Sequence, residues 1–206
     1  MYRQNLELLR STRASTLRIC SGISQAQSEF TQPGKWSVGE NLHHLVLADD
    51  MYRSYFGQLI DMQKSGQRPV LRRSFADLNT SVAFIPKPIL PLLEIPFTVM
   101  NMFVPNVVRE TMIEFRVLPA QNPDIITPKK GQPVKELRSA LQASYDKTAA
   151  LFNDNPQLDY RGMLYQHPIM GSNSVLQMLR IVALHERRHQ SQIQEVLRSR
   201  QFPKVA

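Results

Sequence analysis

Apolar positions recur at three-to-four spacing in four stretches of this chain, and each stretch predicts an amphipathic helix. The first runs from about Arg3 to Ile23, with Leu6, Leu9, Leu17 and Cys20 on a stripe that Arg13 interrupts. A polar stretch follows and closes in the turn residues Gln32-Pro33-Gly34-Lys35. The second helix opens on Ser37-Val38-Gly39-Glu40. This is the S-x-x-E form of a capping box, in which the serine and the glutamate satisfy each other's free backbone amides. Leu42, Leu45, Ala48, Met51, Tyr52, Tyr55, Leu59 and Met62 line one side of it. It is expected to run to about Lys64, with Gly66 as its stop. The third helix spans about Val134 to Phe152, with Leu137, Leu141, Tyr145, Ala149 and Phe152 inward. The fourth opens on a second capping box, Ser174-Val175-Leu176-Gln177, and is expected to reach about Arg200. Met178, Val182, His185, His189, Ile193 and Val196 share its stripe.

No stretch alternates convincingly with period two, and Asp159 to Ser172 reads as a loop. The expected fold is therefore all-α: a four-helix bundle in a single domain over residues 1–206. A long proline-rich connection, at about residues 67–133, joins the second and third long helices. It holds most of the prolines, so long regular elements are not expected there. It is also apolar from Ile89 to Phe115. It reads as short helices packed over the bundle, a lid or contact insertion, and its Ile89–Phe103 part as a partner or homodimer contact.

Composition changes this picture little. With 206 residues, 42% hydrophobic and 20% charged, the chain has the make-up of a soluble globular protein. Its single cysteine, Cys20, excludes an internal disulfide and a cysteine-rich zinc site, and fits a cytoplasmic location. The net charge is +8, but the arginines and lysines are scattered, which argues against nucleic acid as a specific partner. Met1 to Arg10 lacks the apolar run of a signal peptide. Lys87, Glu94 and several prolines break the most apolar segment, so no membrane span is expected.

The candidate chemistry lies on the helices. His185 and His189 are four residues apart, which puts both imidazoles on one face, about 6 Å apart along the axis. That face is the apolar one, while Arg187 and Arg188 take the back. Two inward histidines each need a polar partner, and a shared divalent metal supplies one. On the second helix His44 shares the inward stripe with Ala48, Met51 and Tyr55, whereas His43 is rotated by about 100° toward Leu47 and Asp50. His44 is thus the better third ligand. Three protein ligands leave a coordination position open, as at catalytic zinc. Met51, Tyr52 and Tyr55 read as a bulky wall limiting water access. The segment His185-Glu186-Arg187-Arg188-His189 also spells H-E-x-x-H, the zinc-binding helix of metallopeptidases. The downstream third ligand and substrate platform of those enzymes are missing, so Glu186 reads as a surface residue or a support for the ligands.

Trp36-Ser37 ahead of a helix, then Glu40 and His44-Leu45, then His167-Pro168, Gly171 and a last helix with His185, His189, Gln190 and Gln192-Ile193, together form a familiar set. The chain resembles the DinB-like superfamily, which includes bacterial thiol S-transferases and maleylpyruvate isomerases that use mycothiol or bacillithiol. The resemblance covers the first two long helices and the last third of the chain. It implies a bundle with a three-histidine site at His44, His185 and His189, taking zinc or nickel, sometimes iron or manganese. His167, in the His-Pro turn, reads as a group approaching the metal or as a turn stabiliser. It and Glu186 are the weak catalytic candidates.

The leading expectation is a metal-dependent hydrolase or thiol S-transferase acting on a small-molecule substrate, with a low-molecular-weight thiol as a cosubstrate in the second case. The alternatives are a non-catalytic metal-binding or regulatory module and, further off, an HExxH metallopeptidase.

Overall fold

The computed structural model describes residues 1–74, 77, 89, 104–114, 124–167 and 171–203. The helical elements are α1 (Tyr2–Ile19), α2 (Gln25–Glu29), α3 (Val38–Lys64), α4 (Asn106–Glu114), α5 (Val134–Asn153) and α6 (Val175–Leu197), with a 3-10 turn at Asp124–Ile126. The strands are β1 (Val70–Arg72), β2 (Leu164–His167) and β3 (Gly171–Ser174). Among the described residues the protein is mostly helical, with one small sheet. Most of the proline-rich connection and of its apolar run, together with Pro168, lies outside the described residues.

Local chemistry explains the helix ends. At the start of α3 the Glu40 amide donates to Ser37 Oγ (3.1 Å) and the Ser37 amide donates to Glu40 Oε2 (2.9 Å), the full capping box. At its end Gly66 has φ +73, the Gln67 amide donates to the Met62 carbonyl (2.9 Å) and the Gly66 amide to Gln63 (3.1 Å). This is a Schellman stop, and it needs the glycine. The box expected at α6 is half formed. Ser174 Oγ accepts from the Gln177 amide (3.2 Å), but the Gln177 side chain donates instead to Glu110 of α4 (2.8 Å). Ser37→Ala should lower stability by about 1 kcal/mol in urea unfolding, the usual cost of losing such a cap; an unchanged midpoint would show the box to be idle.

Two expectations need correction. The loop expected before the last helix is a hairpin: β2 pairs antiparallel with β3, His167 lying opposite Gly171, and β1 pairs parallel with β2. Strands of three and four residues are too short to show alternation, and Gly-Ser-Asn-Ser in β3 has no apolar residue at all. The sheet seats on α3 through Tyr165, which stacks on Tyr55 (4.9 Å, 19°). The first helix also stops earlier, at Ile19, and the polar stretch after it contains α2 with its own capping box, Ser24 to Gln27.

The four long helices pack on one another, α1 against α5 and α6, and α3 against the same two. Their apolar residues form two clusters. One gathers Leu6, Leu9, Phe56, Leu59, Phe152 and Leu179; the other Cys20, Leu42, Leu45, Leu141, Ile193 and Val196. Between them each long helix contributes buried polar residues: Thr12, Arg13 and Thr16 from α1, His44 and Asp49 from α3, Ser144 and Thr148 from α5, Glu186 and His189 from α6. A polar layer therefore crosses the molecule, and burial favours partners for its groups within the protein, although the Thr12 hydroxyl has none among the described residues.

Candidate metal centre

The histidine half of this layer brings α3 and α6 together. His44 Nε2 lies 3.3 Å from His185 Nε2, and His189 Nε2 lies 3.1 Å from the same atom. One nitrogen from each of the three lies within 4.8 Å of the others. His44 is fully buried, His189 nearly so, and His185 is half-buried.

The outward ring nitrogens fix the protons. His44 Nδ1 sits 2.7 Å from the Ile126 carbonyl oxygen. A carbonyl only accepts, so this nitrogen carries the hydrogen and donates, leaving Nε2 with a bare lone pair. The Asn41 amide nitrogen donates to the Ser37 carbonyl (2.9 Å), which turns Asn41 Oδ1 toward His189 Nδ1 at 2.8 Å. His189 therefore also donates through Nδ1 and has a bare Nε2. Burial pushes the His44 pKa down to about 4, and pushes His185 and His189 well below the usual imidazole range. All three rings are neutral near pH 7.

Two bare lone pairs thus face the Nε2 of His185. A hydrogen there satisfies one of them and leaves the other opposed. A divalent cation satisfies all three nitrogens. Nitrogens about 2.0–2.1 Å from a tetrahedral zinc lie about 3.3 Å apart, close to the two separations here. The donor set fits a borderline metal such as zinc or nickel, and the Ile126 carbonyl and Asn41 amide are the outer partners that such ligands usually have.

The other expected residues fall elsewhere. His43 turns away, as its rotation on the helix predicts, and its Nδ1 accepts from the Lys129 amide (2.9 Å). His167 ends β2 with its ring 6.1 Å from Tyr165 and is not among the three converging histidines. Met51, Tyr52 and Tyr55 pack against the first apolar cluster. They lie about 10–16 Å further along α3 than His44, so they do not wall the site. Trp36 does: its ring stacks on His189 (5.9 Å, 12°) and packs against His44 (4.9 Å).

Glu186 is not a surface residue. It is 1% exposed and points across the layer to α1. Arg13 Nε meets its Oε1 at 2.9 Å, Arg13 Nη2 its Oε2 at 3.1 Å, and Thr16 Oγ1 donates to it at 2.6 Å. The same guanidinium reaches Asp49 Oδ2 (2.6 Å) and the Leu141 carbonyl. The glutamate of the H-E-x-x-H segment is thus committed to an ion-pair network, away from the ligand nitrogens. Arg13, Asp49 and Asn41 escaped the reading of the sequence as site residues, and Trp36 entered it only as part of the family motif. Arg13 had left a signal by interrupting an apolar stripe, and Asn41 by standing one turn before His44 on the inward face.

No helix among the described residues is long and apolar enough to cross a membrane. No curated protein and no solved structure matches the chain significantly. The model of the DinB superfamily matches residues 8–193, nearly the whole chain and all three histidines, and the protein belongs to that superfamily.

Proposed function

We propose that this protein is a divalent-metal-dependent enzyme, a hydrolase or a thiol S-transferase, holding zinc or nickel through His44, His185 and His189. The observation that carries this reading is the convergence of three Nε2 atoms, two of them, on His44 and His189, left bare because Ile126 and Asn41 direct the ring protons outward. When bound, such an ion supplies Lewis acidity and an open coordination position, which activates a water or a thiol near neutral pH.

The chain's own residues prepare that position. The Ile126 carbonyl and the Asn41 amide orient two of the rings. Trp36 covers the flank of His44 and His189, while His185 is half-buried. Beside His189 lies a cleft of about 410 Å³, lined in part by Trp36, Asn41, Arg188 and Gln192. Three protein ligands next to a cleft suit catalysis better than the four ligands of a closed structural site.

Trp36 is the sole tryptophan, so it reports on the site directly. Titration of metal-free protein with Co²⁺ or Ni²⁺ should quench its emission and saturate near one equivalent. Emission that stays flat while metal is taken up would place the ion elsewhere. The enzyme reading is tested by turnover of ester or amide substrates, and of a thiol with an electrophilic acceptor, in metal-loaded and chelator-stripped protein. Metal-dependent turnover that His44→Ala abolishes supports it. Stoichiometric binding without turnover across both panels favours a non-catalytic metal module.

A further inference from the structure

His185 and His189 are each followed, one residue on, by a polar side chain tied to α1. Glu186 Oε1 accepts from Thr16 Oγ1 at 2.6 Å and from Arg13 Nε at 2.9 Å. Gln190 Nε2 donates to the Thr12 carbonyl at 2.8 Å and to Thr16 Oγ1 at 2.9 Å. The Thr16 hydroxyl is therefore a hub. Its one hydrogen goes to Glu186, and a lone pair takes an amide hydrogen of Gln190. Thr16 is fully buried, so neither bond competes with bulk water.

Successive residues on a helix point about 100° apart. The ligands of α6 thus face α3 while the residue after each of them faces α1, and these tethers repeat at the ligands' own spacing of four. The rotation of α6 about its axis sets both faces at once. Side chains reach about 5–6 Å from a helix axis, so a turn of about 10° moves a ligand atom by about 1 Å. Metal–ligand distances tolerate only about 0.2 Å. Apolar packing is non-directional and defines such a rotation loosely, whereas hydrogen bonds prefer a narrow range of angle and length. Arg13 extends the tie to the other ligand-bearing helix, because its Nη2 meets Asp49 Oδ2 of α3 at 2.6 Å.

We propose that Thr16, Glu186 and Gln190 are positioning residues of the metal centre: the Thr16 hydroxyl, gripped by a side chain next to each α6 ligand, fixes the rotation of α6 that brings His185 and His189 onto one ion with His44. The inference rests on the metal reading and adds what holds its ligands in register. None of these bonds involves a histidine ring, so the residues act through the helix that carries the ligands.

The test uses the full chain with Co²⁺. Its readouts are affinity, by competition with a chelator, and the shape of the visible bands, which follows coordination geometry. Thr16→Val removes the hydroxyl at nearly the same shape, Thr16→Ser keeps it, and Gln190→Met removes the amide at similar length. Leu59→Ala, in the first apolar cluster, weakens the fold without touching a tether. Thr16→Val and Gln190→Met are expected to bind cobalt roughly tenfold more weakly, the lower end of what losing an outer partner costs, with altered bands. Thr16→Ser stays close to the parent, and folded Leu59→Ala binds as the parent does. Parent-like affinity and bands in folded Thr16→Val overturn the inference, and Gln190→Met decides in the same way should Thr16→Val not fold. An equal loss in Leu59→Ala also overturns it, since any loosening of the bundle would then have the same effect. Failure of the parent to take up cobalt overturns the metal reading itself, and the inference with it.

Discussion

Arg13→Leu is expected to destabilise the fold by roughly 3–5 kcal/mol, the usual cost of removing one partner from a buried ion pair. Arg13 and Glu186 are each 1% exposed and Asp49 is 7% exposed. Deleting the guanidinium leaves two carboxylates with no cation between them, and removes its hydrogen bond to the Leu141 carbonyl. Burial already pushes both carboxyls up in pKa, against the pull of Arg13. Without Arg13 that pull disappears, and the layer must take up protons or open. Urea unfolding measures the loss. The triple variant Arg13→Leu/Asp49→Asn/Glu186→Gln should regain much of it, because neutral replacements carry no uncompensated charge. A single variant that unfolds at the parent's midpoint would mean that the layer is not dry or not paired as described.

The second large effect concerns metal affinity and should be graded by distance from the ion. Removing a ligand, as in His185→Ala, takes away one of three bonds and should cost more than a hundredfold. Removing an outer partner typically costs about 10–100-fold. Asn41→Ala belongs to the second class, since it takes the acceptor from His189 Nδ1 and with it the bias that keeps Nε2 bare. Asn41→Asp keeps an acceptor oxygen there and should bind far better than Asn41→Ala. Competition titration with a coloured chelator resolves the three levels. Equal affinities for Asn41→Ala and the parent would show that the outward hydrogen bond does not set the ligand's form.

How much of this was legible in the sequence depended on length and on chemistry. Ser37-x-x-Glu40 announces α3 because both halves of the box form, and Gly66 marks its stop because only the left-handed backbone closes that end. The pair His185 and His189, and the choice of His44 over His43, follow from helical rotation alone, and the structure brings those three together. Rotation also hides things. Glu186 is one step past His185, and that step of about 100° carries it off the ligand face and onto Arg13. The sequence shows an arginine spoiling an apolar stripe; only packing shows that two acids on other helices answer it. The strands were invisible because three or four residues cannot display a period. The box at Ser24 was readable, but it starts a helix of only five residues. Ser174-x-x-Gln177 misled in part, because Gln177 found a better partner in Glu110 on α4, which no local pattern encodes.

The central claim is that His44, His185 and His189 hold one metal ion. Elemental mass spectrometry on the purified parent and on His44→Ala, each shown to be folded by circular dichroism, tests it most directly. The account predicts about one divalent metal per chain in the parent and little or none in His44→Ala. A parent that remains empty after zinc and nickel are supplied, or a His44→Ala protein that binds as well as the parent, would contradict it.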